Sequence, residues 1–279
     1  MKLLLLIGIM FCSFNVAGAF CSERLKSFAK NSSSFEINPT EKLISSWMEE
    51  SKNFRLLQKK LSSDFQRFGH SEKMVKNIFY RSHRFIFEEY EQFSTEKEVL
   101  ESGKFDCVSG SLVLASLLSY YGFDYDIHES SYHVFITVGL GKKEILLEVT
   151  DPFGGFINDN LEVDHYMDGI QKEGEEPNLK SPIKGELRSF LSPNIFESIE
   201  LTNLVGLQYF NLAIKNYNDG HLLVAYQFLT TALKYHDTQR IRDFHQFLKN
   251  AIHLMTNPTT VNINHLSTLH NDRSPDQYQ

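Results

Sequence analysis

The chain has 279 residues, enough for one large domain or two modest ones with a substantial core. Its composition is that of an ordinary soluble protein, 42% hydrophobic and 23% charged with 7 Pro. A formal charge of −7 and a pI near 5.9 exclude the usual kind of nucleic-acid partner, which needs a basic face against its phosphates.

Lys2, the apolar run 3–11 and Ala17-Gly18-Ala19 form the charged, apolar and small-x-small parts of an export signal, predicted to be removed after Ala19. That run is shorter than the ~20 residues of a membrane span, and no later apolar stretch is long enough to cross a bilayer. The mature chain (periplasmic or secreted) is therefore expected to have no transmembrane segment. Export leaves Cys21 and Cys107, which in an oxidising compartment have a disulfide as one option. Lipidation of Cys21 is another, opposed by the bulky Phe20 where a lipobox has a small residue.

Residues 20–100 read as mainly helical. Thr40-Glu41-Lys42-Leu43 opens a helix carrying Leu43, Ile44, Trp47 and Met48 at helical spacing, with Trp47 expected in the core. Phe54, Leu57 and Leu61 continue a second amphipathic stretch, and Ser71 begins a third with Val75, Ile78 and Phe79. The run 108–121 is apolar almost throughout, the pattern of a buried helix, and stops at Gly122 as a C-cap. Strand-like runs follow at 123–127, 133–138 and 144–149, and Gly139 and Gly141 mark a hairpin between the last two. Residues 157–200 read as an acidic, loop-prone connection. Residues 201–256 are helical again, and the polar tail 257–279 is expected to be disordered.

Cys107 stands where the buried helix should begin, after Gly103-Lys104-Phe105-Asp106. A thiol attacks acyl carbons as the thiolate, and a helix N-terminus favours that charge while offering backbone donors for an oxyanion. Asp106 reads best as the helix cap. The base must be a histidine held by a third group. If the hairpin turns through Gly141-Lys142-Lys143, Gly139 faces Ile145 and His133 faces Asp151. Those two side chains then share a face with Cβ atoms about 5 Å apart, and a slip of one residue separates them. In that register Glu148 falls on the opposite, solvated face. His128 is a rival base assigned to an exposed loop. Gly154-Gly155 reads as turn material, and no His/Cys spacing suits zinc, so neither a metal nor another cofactor is predicted.

Gly103-Lys104-Phe105-Asp106-Cys107 leading into an apolar helix, His133-Val134-Phe135-Ile136, and Glu148-Val149-Thr150-Asp151-Pro152 together resemble the transglutaminase-like superfamily over about fifty residues. The resemblance implies an α+β, papain-like core in residues 20–156, with a nucleophile helix packed on an antiparallel sheet. It makes Cys107 the nucleophile, His133 the base and then acid, and Asp151 the orienting carboxylate, acting on a protein or peptide substrate. Val134 stands where the family often has an aromatic, and the usual Trp before Asp151 is missing. In residues 201–256, Tyr209, Leu212, Ala213, Gly220, Ala225, Leu229, Ala232 and Leu233 resemble one tetratricopeptide repeat with Gly220 at its turn. Such a hairpin serves either as support for the core or as a surface for a protein partner.

Overall fold

The computed structural model describes residues 39–131, 133–175 and 195–256. The expected export signal, Cys21 and the polar tail lie outside these residues. Three helices open the described chain: α1 (Pro39–Glu50), α2 (Lys52–Phe68) and α3 (Glu72–Phe85). Ser51 and Ser71 cap the second and third, each hydroxyl accepting the backbone N–H three residues on. Trp47 is fully buried, and its indole N–H donates to Glu96. Phe54 meets Trp47 edge-on at 5.3 Å between ring centroids.

A short strand β1 (Glu89–Tyr90), helix α4 (Glu96–Ser102) and strand β2 (Lys104–Phe105) lead to helix α5 (Cys107–Tyr120). β1 and β2 pair in parallel, with Tyr90 opposite Phe105. α5 is apolar all round because it is the central element: α1, α3, α4 and α7 (Leu201–Asn218) surround it, and strands close its remaining side. Burying each of its large aliphatic side chains contributes about 1.5–3 kcal/mol. Gly110 permits the closest approach, since a Cβ there would lie 2.7 Å from Val149 Cγ2. The helix ends at Tyr121, and Gly122 follows at φ +72°, the left-handed conformation that glycine adopts without steric cost.

The strands after α5 are β3 (Tyr125–Ser130), β4 (Val134–Leu140), β5 (Lys143–Leu147), β6 (Phe156–Ile157) and β7 (Phe196–Ile199). They form one antiparallel sheet in the order β6-β5-β4-β3-β7. Val134, Ile136, Val138, Ile145 and Leu147 point into the core shared with α5. Phe135 and Leu146 point the other way, under helix α6 (Asn160–Glu175). The architecture is α+β.

α6 lies inside the segment expected to be a loop. Val163, Tyr166, Met167 and Ile170 repeat at helical spacing and cover the second face of the sheet. Asp159 accepts the N–H groups of Leu161 and Glu162 and so starts the helix. The acidic residues between those apolar positions had masked the period.

After β7, α7 and α8 (Leu222–Ala232) form a hairpin with Gly220 at φ +81° in its turn, and α9 (Gln239–Thr256) packs on α8. Gly206 of α7 lies against His236, where a Cβ would come within 2.4 Å of the histidine Cβ. These helices are joined to the core by polar contacts as well as packing. Asn211 donates to Asp106 at 3.2 Å, and Arg240 and His236 both bond the buried Glu129 of β3. No helix among the described residues is long and apolar enough to cross a membrane.

Candidate active site

The β4–β5 hairpin turns through two residues, Gly141 and Lys142, with positive φ at Gly141 alone, as a type II′ turn requires. The expected loop had three. Val138 therefore pairs with Ile145 and Gly139 with Glu144, one residue out of the expected register. A one-residue slip exchanges the faces of a strand. It brings Glu148 to His133 and removes Asp151.

His133 Nε2 is hydrogen-bonded to Glu148 Oε2. The carboxylate is only 6% exposed and accepts three further bonds, from Tyr166 Oη at 2.6 Å and from Thr150 N and Oγ1 at 2.8 and 2.5 Å. Burial alone would raise its pKa. His133, Thr150 and Tyr166 outweigh that and hold it below the usual carboxylate value. An ionised carboxylate only accepts, so Nε2 carries the proton and Nδ1 is left for the other side. Cys107 lines the same cavity as the imidazole and interacts with it. Burial works against a charge on His133, but bonding to Cys107 and Glu148, with their charges, raises its pKa to about 10.

Asp151 is exposed, and its Oδ1 accepts the N–H groups of Phe153 and Gly154 at 3.0 and 2.9 Å. Asp151, expected as the orienting group, thus lies in a turn, and Glu148, expected in solvent, lies beside the imidazole. The turn nonetheless serves the site. Glu148 N donates to Gly155 O, and a Cβ at Gly155 would lie 2.0 Å from Glu148 O, so glycine is required there.

Cys107 is the first residue of α5 and a free thiol. Asp106 caps the helix as expected, in a reciprocal box with Ser109, and also accepts from Phe93 N and Asn211 Nδ2. Burial pushes Asp106 up to about 6 despite these donors. Cys107 and His133 open on a cavity of about 70 Å³, which Tyr90 and Gln92 also line. Burial, and then the charges at Cys107, Asp106 and Glu148, raise the Tyr90 phenol to about 12, so it stays a donor.

Two other histidines are disqualified as bases. His128 lies on β3, not in a loop. Its Nε2 meets Thr137 Oγ1 at 2.9 Å, and its ring stacks on Phe135 at 4.9 Å. His83 packs edge-on against Phe79, and burial lowers its pKa to about 4, which leaves it a weak base. Glu129, Glu197 and His236 place ligand-type atoms within 4.8 Å of one another, but Glu129 already spends one oxygen on His236 and the other on Arg240. That carboxylate is committed to an ion pair, which disfavours a cation there.

No protein-family model matches the chain, and no curated protein or solved structure does either. Fold and site together define an α+β protein with a cysteine at the tip of its central helix and a carboxylate-braced histidine beside it.

Proposed function

We propose that the chain is an exported, transglutaminase-like thiol acyl-transfer enzyme with a papain-like core, using Cys107, His133 and Glu148 on a peptide or carboxamide bond. The observation that carries the reading is the cavity that Cys107, at a helix N-terminus, shares with His133, an imidazole whose Nε2 is held by a buried carboxylate. With His133 holding the proton that the thiol gives up, the sulfur attacks the carbonyl carbon. The oxyanion that forms faces the N–H of Cys107, in the cavity that Tyr90 also lines. His133 then protonates the leaving nitrogen, and water or an amine releases the thioester. Water is the simpler acceptor, which favours hydrolysis.

The expected result with p-nitrophenyl acetate is a burst of one nitrophenol per chain and an acetyl group on Cys107. Cys107→Ala should abolish both and keep the wild-type thermal unfolding. A burst that persists in that variant overturns the reading.

A further inference from the structure

The cavity beside Cys107 has a wall from outside the papain-like part of the chain. Leu207, Phe210 and Ile214 of α7 line it, all buried, and Arg240 of α9 closes it. Val134 of β4 adds a further apolar surface from the sheet. The cavity is small, about 70 Å³, the scale of a short side chain.

Charge in the cavity is already balanced. The Arg240 guanidinium is 7% exposed, bonds Glu129 and the Ser131 carbonyl, and lies 4.8 Å over the Phe210 ring. Glu129 is held ionised: burial pushes it up, but Arg240 and His236 outweigh this and lower its pKa. An incoming carboxylate would meet a neutralised cation with the Asp106 carboxyl nearby. An incoming ammonium would meet a carboxylate that already has two partners. Each would lose its hydration without a free counter-charge.

We infer that this cavity is the acyl-side specificity pocket, that it takes a short uncharged group, and that α7 sets its depth. The inference rests on the thiol acyl-transfer reading and names its substrate class. It also gives residues 201–256 a role within the site, as the wall against which the acyl group lies.

The test uses p-nitrophenyl esters of N-acetylated alanine, valine, phenylalanine, glutamate and lysine as acyl donors, with the Cys107→Ala background subtracted. The expected kcat/KM for alanine and valine exceeds that for the other three by about tenfold or more. Ile214→Ala, checked for folding by its thermal unfolding, should raise the phenylalanine-to-alanine ratio by about tenfold. The wild-type series decides the matter even if that variant does not fold. Equal rates across the five esters, or a preference for a charged one, overturn the pocket while leaving the thiol chemistry standing. Failure of every ester, p-nitrophenyl acetate included, overturns the thiol reading and the pocket with it.

Discussion

Glu148→Gln is expected to slow acetylation of Cys107 by p-nitrophenyl acetate by about 100-fold or more. Asp151→Asn, three residues on, should change it less than about threefold, the range of a surface substitution. The contrast follows from where the two carboxylates sit. Glu148 is buried and accepts from His133, Tyr166 and Thr150, so its charge supports the imidazolium and its shape fixes the ring. An amide there removes the charge and sets an N–H against one of those donors. Asp151 accepts only from its own turn. The acetylation burst of the two variants, with thermal unfolding as a control, measures the contrast. Equal losses in both, or a loss confined to Asp151→Asn, would return the orienting role to Asp151.

Arg240→Ala should cost about 3–5 kcal/mol of stability, because it leaves the buried Glu129 carboxylate without its main counter-charge. For a chain of this size that lowers Tm by about 10 °C. The paired change Glu129→Gln with Arg240→Met should recover most of the loss, since neither charge then remains to be solvated. The exposed pair Arg242–Asp237, at 2.7 Å, gives the comparison. Arg242→Ala should cost less than about 1 kcal/mol. Urea unfolding of the three variants and the wild type reads all of these. A small effect at Arg240 would mean that the C-terminal helices are only loosely joined to β3.

Much of the fold was legible because local signals were strong. The unbroken apolar run of α5, the serine caps of α2 and α3 and the glycine at φ +72° after α5 each fix an element boundary with a few residues. The place of Cys107 was legible for the same reason, since a cysteine following a capping aspartate can occupy only the first helical turn. His133 was legible as the polar residue that opens an apolar strand.

The carboxylate beside His133 was not, because its identity depends on the length of one turn. Two residues or three at Gly141 decide whether His133 shares a face with Glu148 or with Asp151, and both turns are compatible with Gly-Lys-Lys. A clue was present in Thr150, which follows Glu148 by two residues and donates to it twice. The long-range contacts were less visible still. Asn211 and Arg240 reach the site from more than 100 residues away in sequence, by packing of helices whose spacing reads as a self-contained hairpin.

The rate of Cys107 alkylation by iodoacetamide between pH 6 and pH 8 tests the thiol–imidazole pairing most directly. His133, raised to about 10, keeps its proton across that range, and an imidazolium beside a sulfur favours the thiolate. The expected profile is therefore nearly flat, with the pH 6 rate within about threefold of the pH 8 rate. A rate that climbs about tenfold per pH unit, as for an unassisted thiol, would contradict the pairing.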